Sequence, residues 1–184
     1  MREHVELATA FTWKPTPELV ITYGLSGSGK STLARSLVDE KGFIRLRSDV
    51  ERKRLLGLDR MARSDSGLNS GLYTPEVTER TYARLLALAE DILGAGFSVV
   101  VDAAFLQSFR RRPFRDLAER LGCPFRILHA RAQENTLRKR LCKRQTKGSD
   151  PSEADESVLE AQLRKAEPPI GDEACFVETF DTDD

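Results

Sequence analysis

The sequence predicts an α/β fold in which helices flank a central parallel sheet. Three observations carry that prediction. Apolar, strand-like segments alternate with longer helical segments along most of the chain. A glycine-rich loop, Gly24–Ser31, joins the first of these strands to the first helix. Two strand segments run into an acid at the same end: Phe43–Arg47 into Asp49, and Phe97–Val101 into Asp102.

The elements follow in chain order. Residues 1–17 contain Trp13, Pro15 and Pro17, which break any regular element, so an N-terminal extension or linker is expected there, with one domain over 18–184. The first strand is Glu18–Tyr23. A helix from about Lys30 to Glu40 ends at Gly42, and a second strand covers Phe43–Arg47. A short helix is expected over Asp49–Leu56. Residues 57–73 hold Gly57, Gly67, Gly71, Asn69 and several serines, the chemistry of a loop, with the length of an acceptor-side lid or of a plain insert. Thr74-Pro75-Glu76 supplies the N-cap and first two positions of a long helix that Gly94 and Gly96 stop. Phe97–Val101 is apolar throughout, as a strand buried on both faces would be. A helix within 108–121, a strand over 124–130 and a helix over 134–146 come next. Asp150-Pro151-Ser152-Glu153 caps a further helix with an acidic third position, and Cys175–Phe180 is the fifth strand.

At 184 residues the chain has the size of one domain. Its 29 Lys and Arg residues balance 29 Asp and Glu, so no overall field draws it to nucleic acid or acidic membranes. Charge is concentrated locally: 45–63, 110–115 and 138–147 are basic and 172–184 is acidic. Cys123, Cys142 and Cys175 form no CxxC pair, the usage of reduced structural thiols. There is no run of 18 apolar residues and no apolar signal-peptide segment, so no membrane partner is expected and the cytoplasm is the expected location. His4 and His129 lack metal-ligand spacing.

The chemistry begins at Gly24-Leu25-Ser26-Gly27-Ser28-Gly29-Lys30-Ser31, which matches GxxxxGK(S/T). Glycines let backbone N–H groups turn inward and approach phosphates closely, and the following helix aims its N-terminus at the same anion. The expected nucleotide-binding set is Gly24, Ser26, Gly27, Ser28, Gly29, Lys30, Ser31 and Thr32. Lys30 reaches the β- and γ-phosphates, and the Ser31 hydroxyl is offered to Mg2+. Asp49 and Arg52, at i and i+3, share one helix face. That carboxylate can accept the proton of an attacking hydroxyl, with the guanidinium orienting the acceptor or pairing with Asp49; alternatively Asp49 caps the helix. Asp102 ends an apolar run, as an acid that orders Mg2+ would. Ala103 follows it, where many hydrolysing ATPases carry a water-activating glutamate, so transfer is favoured over hydrolysis. In the basic helix, Leu137 and Leu141 mark a buried stripe and Arg140 and Arg144 lie beside it, placed to bridge transferring phosphates. Arg138, Lys139, Lys143 and Lys147 fall on the solvated side, and Arg110-Arg111-Arg112 is expected to be a solvated loop or helix start, with contact to a phosphate as the alternative.

The order GLSGSGKST, SDVERK, VVVDAAF and RKRLCKRQTKG resembles the AAA-type P-loop kinases, which often occur fused behind an aminoglycoside-phosphotransferase-like domain. It also resembles the kinase domain of phage-type polynucleotide 5′-kinases. The resemblance covers about residues 18–165 and implies a P-loop NTPase three-layer sandwich, a parallel sheet of about five strands and a helical lid. It implies ATP and Mg2+ as cofactors, held by Lys30, Ser31 and Asp102. It makes Asp49 the general base, Arg52 its acceptor-side partner and Arg144 the lid arginine, with Arg140 one turn before. Asp102-Ala103-Ala104 departs from the Thr-Asn that follows this acid in the phage-type enzymes, which tells against a nucleic-acid acceptor. A fused partner domain would account for residues 1–17. The expectation is therefore a kinase that moves the γ-phosphate of ATP to a hydroxyl of a small molecule or a polynucleotide 5′ end. The alternative is a nucleotide-binding regulatory ATPase, which has no need of Asp49-x-x-Arg52. No NKxD-type guanine-reading motif is present, which disfavours a GTPase.

Overall fold

A computed structural model describes residues 16–59, 74–147 and 156–183. The expectations for most of the N-terminal extension, for most of the 57–73 loop and for the Asp150–Glu153 cap lie outside these residues. The elements are β1 (Leu19–Tyr23), α1 (Lys30–Lys41), β2 (Ile44–Arg47), α2 (Ser48–Leu55), α3 (Pro75–Gly94) and β3 (Val99–Asp102). Then come α4 (Ser108–Leu121), β4 (Phe125–Arg131), α5 (Glu134–Lys147), α6 (Glu156–Lys165), a 3-10 turn (Gly171–Phe176) and β5 (Val177–Asp181).

The five strands form one parallel sheet in the order β2-β3-β1-β4-β5. Every residue of β1 and β3 is buried, as expected of inner strands covered on both faces. The strand period of two sorts their side chains into two layers. Leu19, Ile21, Val99 and Val101 pack with Leu85, Ala89, Phe114 and Leu117 of α3 and α4. Val20 and Val100 pack on the other face with Ala34 and Leu37 of α1. Leu137 and Leu141 of α5 close a third, smaller cluster with Leu159 of α6, so the predicted stripe is buried. This is the three-layer sandwich with a five-stranded parallel sheet that the sequence predicts.

Helix ends follow the sequence signals. Thr74 Oγ1 accepts a hydrogen bond from the Val77 N–H at 3.3 Å, and Pro75 opens α3. Gly42 closes α1 in the left-handed conformation, its N–H donating to the carbonyls of Leu37 and Val38.

Three expectations need correction. The third strand starts at Val99; Phe97 precedes it and is 51% exposed, because Gly96 and the Phe97 N–H to Ile92 carbonyl bond extend the end of α3. Asp102 consequently lies within the ladder, paired in register with Arg47. The last strand starts at Val177, since Gly171–Phe176 winds into a 3-10 turn. Finally, Arg111 is not solvated. It is 1% exposed, pairs with Glu173 at 2.6 Å, and donates to the carbonyls of Phe105 at 2.9 Å and Glu167 at 3.0 Å. A guanidinium whose donors are met can be buried, and here it ties the β3–α4 connection to the segment after α6. Among the described residues no helix is long and apolar enough to cross a membrane.

Candidate functional site

Because β1 lies between β3 and β4, the loop leaving β1 opens beside the end of β3, at the carboxyl edge where α/β sheets bind ligands. Backbone geometry there requires glycine. Gly24 has φ +149°, and a Cβ on it would stand 2.5 Å from the Ala130 carbonyl oxygen and 2.6 Å from Ser28 Oγ. Gly29 is left-handed at φ 88° and immediately precedes α1, so the loop's amides and the helix N-terminus converge.

Lys30 folds back over this loop and donates from Nζ to the Leu25 carbonyl at 2.6 Å. Burial holds its amine well below the ordinary lysine range, at about 8; Arg144 pushes the same way, while Asp102 and Asp49 oppose it. The Ser31 hydroxyl donates to Asp102 Oδ2 at 2.9 Å. That carboxylate, 6% exposed, also pairs with Arg45, and Arg47 Nε lies 3.7 Å from the same oxygen. Ser31 and Asp102 are hard oxygen donors in contact, which suits Mg2+. Among the described residues no group of three His, Cys, Asp or Glu could hold a metal alone, so this pair fits an ion that is also coordinated by phosphate oxygens and water.

Asp49 and Arg52 on α2 face each other, Arg52 Nη1 lying 3.0 Å from Asp49 Oδ1. Both line a cavity of about 790 Å3 that Lys30, Ser31 and Asp102 also line. Arg140 and Arg144 reach the same cavity from α5, in keeping with their place beside the buried stripe. Lys139 and Lys143 are exposed, as expected. Arg138 also lies on the solvated side, 34% exposed, and pairs there with the exposed carboxylates of Glu134 and Glu156. Arg140 is already committed: it donates to the carbonyls of Gly27 and Thr182 and to Thr182 Oγ1, and Thr182 Oγ1 donates to the Ser28 carbonyl at 2.9 Å. It braces the loop from behind. The structure thus gathers Lys30, Ser31, Asp49, Arg52, Asp102, Arg140 and Arg144 around one space.

Other groups at this cavity, or behind Asp102, were not singled out from the sequence. Gln162 of α6 accepts the Ser26 N–H at 2.8 Å, and only the fold brings these residues together across 136 positions. Arg45 and Arg47 left a faint signal: alternate residues of a strand share a face, here toward Asp102. Pro75, Thr78 and Tyr82 of α3 all line the cavity, and their i, i+3, i+7 spacing was available as a signal. His129 is not part of the site; its ring packs edge-on against Tyr23, 4.8 Å between centroids.

Comparison with known proteins follows this geometry. The family described as AAA domain, AAA_33, matches residues 19–169. Uncharacterized protein Rv2004c of Mycobacterium tuberculosis and Mb2027c of Mycobacterium bovis are 32% identical over 115 residues, 62% of this chain and 23% of theirs. The matched stretch is thus under a quarter of the length of these curated relatives. Among solved structures, a candidate kinase of Chloroflexus aurantiacus J-10-fl aligns with TM-score 0.70 at 21% identity, covering 91% of this chain and 89% of that one. A sugar kinase of Janibacter sp. HTCC2649 aligns at 0.64 and 23% identity, covering 91% and 86%. The Mycobacterium tuberculosis APS kinase CysC, in complex with AMPPNP and APS, aligns at 0.61 and 21%, covering 92% and 91%. At these identities the likeness shows a shared fold.

Proposed function

The chain belongs to the AAA domain family AAA_33, and on that premise we propose that it is an ATP- and Mg2+-dependent kinase that phosphorylates a hydroxyl group. One observation carries the reading: the lysine and amides suited to a triphosphate, the serine–aspartate pair suited to Mg2+, and the Asp49–Arg52 pair all line a single cavity. A nucleotide-binding module has no use for the last of these.

In this reading the loop amides and Lys30 hold the β- and γ-phosphates. Lys30 exchanges its bond to the Leu25 carbonyl for the phosphates, which restore the charge that burial now disfavours. Bound Mg2+ would supply charge neutralisation on the phosphate oxygens, with Ser31 and Asp102 as its protein-side oxygens. Asp49 accepts the acceptor's hydroxyl proton while the acceptor oxygen bonds to the γ-phosphorus; the bond to the β–γ bridging oxygen breaks and its electron pair leaves on ADP. Arg52 holds Asp49 aimed at the cavity, and Arg144 stabilises negative charge on the transferring group. Ala103 and Ala104 carry no group able to activate water, which favours transfer over hydrolysis.

The sugar kinase and APS kinase that share the fold support a phosphotransferase of this kind. The zero net charge favours a small acceptor over a polynucleotide 5′ end. The mycobacterial relatives run well beyond the matched stretch, which leaves room for a companion domain; that it is of phosphotransferase type is what the sequence resemblance implies. The test is a screen with γ-labelled ATP against sugars, nucleosides, aminoglycosides and 5′-OH oligonucleotides. Label on a hydroxyl of one class is expected; label released only as inorganic phosphate, whatever the acceptor, would reject the kinase reading.

A further inference from the structure

We infer that the acceptor carries an oxyanion (carboxylate, sulfate or phosphate) besides its hydroxyl, and that Arg110 of α4 and Tyr82 of α3 receive it. This rests on the phosphotransfer reading and names its substrate class.

Arg110 and Tyr82 line the same cavity as Asp49 and Arg52. The Arg110 guanidinium is held by ring faces: its central carbon lies 4.5 Å from the Tyr82 ring centroid and 4.9 Å from that of Phe109. Those contacts fix its position without using its hydrogens. Its one ion pair among the described residues is a 3.6 Å approach to Glu79, which is 73% exposed and so a weak partner. Nη1 is the nitrogen that faces Glu79; it is shielded from solvent, and at 3.6 Å that carboxylate is too far to make a hydrogen bond with it. A shielded guanidinium N–H without an acceptor is costly, and an anionic ligand is what would satisfy it.

Tyr82 adds a second donor. Its hydroxyl oxygen accepts the Phe105 N–H at 3.3 Å, which leaves its own proton to be given elsewhere. Burial pushes the phenol's pKa up, so that proton is retained. Phe105 reaches this position at φ 46°, the one positive-φ residue other than glycine among the described residues. Its ring is clamped edge-on by Tyr82 at 5.2 Å and Phe114 at 4.9 Å. Asp49 does not cancel Arg110, because it is already matched by Arg52 at 3.0 Å. Beside the base, Arg110 therefore has only the exposed Glu79 as a counter-charge among the described residues.

The shape of this receptor favours a small molecule. Arg110 is 15% exposed and faces a cavity, whereas a polynucleotide backbone is tracked by an exposed basic stripe. A cavity of about 790 Å3 is the size that encloses small ligands.

The test uses the whole chain saturated with AMPPNP and Mg2+, so that added anions cannot occupy the glycine loop. Calorimetry then compares gluconate with sorbitol, ribose 5-phosphate with ribose, and inorganic sulfate alone, with a 5′-OH oligonucleotide as a separate arm. The anionic member of each pair is expected to bind better. Arg110→Gln should weaken that binding about 10- to 100-fold, the worth of a charge-assisted hydrogen-bond pair. Tyr82→Phe should weaken it less, and AMPPNP affinity should hold in both variants. If Arg110→Gln does not fold, Arg110→Lys, which keeps charge but loses the planar fork, and Tyr82→Phe carry the comparison. Equal anion affinity in wild type and variants would overturn the inference, as would equal binding of the neutral partners or preference for the oligonucleotide independent of Arg110. Failure of AMPPNP to bind the wild type would instead count against the kinase reading.

Discussion

Raising the pH from 7 to 9 is expected to weaken nucleotide binding about tenfold through Lys30 alone. The amine sits at about 8 in the nucleotide-free protein, held down mainly by burial, against an ordinary value of 10.5. With that value about nine-tenths of the protein carries a charged Lys30 at pH 7 and about one-tenth at pH 9. Nucleotide phosphates favour the charged form, so the pKa rises on binding. The affinity due to Lys30 is therefore fully present below about pH 8. It falls as pH climbs through that value and levels off once pH exceeds the bound-state pKa. Titrations with ADP at fixed free Mg2+ would measure it, since the terminal phosphate of ADP, with its second pKa at about 6, is already largely ionised at pH 7. Calorimetry at pH 9 in buffers of different ionisation heat should also register uptake of about one proton. Lys30→Arg is the control, because a guanidinium stays charged throughout and should give a flat profile. A wild-type profile as flat as that of Lys30→Arg, or one that falls only above pH 10, would contradict this role for Lys30.

Three further outcomes follow from the geometry. Gly24→Ala places a Cβ 2.5 Å from the Ala130 carbonyl oxygen at an unfavourable φ, so the loop must shift; a thermal melt should show about 1–3 kcal/mol lost, and ADP affinity should fall with it. Arg111→Met breaks a buried ion pair and leaves two carbonyls without their donor. It should cost about 3 kcal/mol, the low end for such a pair because Glu173 can turn to solvent, or roughly 6–12 °C in Tm. Arg144→Gln should lower turnover about 100-fold or more while Lys143→Gln changes it little; equal effects would remove Arg144 from the transferring phosphate.

What the sequence disclosed, and what it hid, follows from the range of each interaction. The glycine loop is a local pattern, so its residues and the strand–loop–helix around it were legible. Asp49 and Arg52 were legible because i and i+3 share a helix face, and Asp102 because an acid at the end of a buried strand must lie at the sheet's carboxyl edge. The turn of α5 that puts Arg140 and Arg144 toward the cavity could be read from two leucines. That Arg140 is engaged with Thr182 could not, since β5 meets α5 only in the folded chain. Phe97 and Cys175 extended strand segments because apolar character was taken for pairing; a helix-terminal bond and a 3-10 turn use that backbone instead. Arg111 resembled surface charge because its three partners, Phe105, Glu167 and Glu173, are brought to it by the fold. For Arg110, one residue away, the sequence offered anion contact only as the lesser alternative, because the two rings that hold it are placed by the fold.

In the proposed function, Asp49 is the group that separates phosphoryl transfer from nucleotide binding. The decisive measurement is the partition of γ-label between a hydroxyl acceptor and free phosphate, for wild type and Asp49→Asn, with ADP affinity taken alongside. Wild type should place label on the acceptor, and Asp49→Asn should lose that transfer by about 10²- to 10⁴-fold with ADP affinity unchanged. Transfer undiminished in Asp49→Asn, or label found only as free phosphate in the wild type, would contradict it.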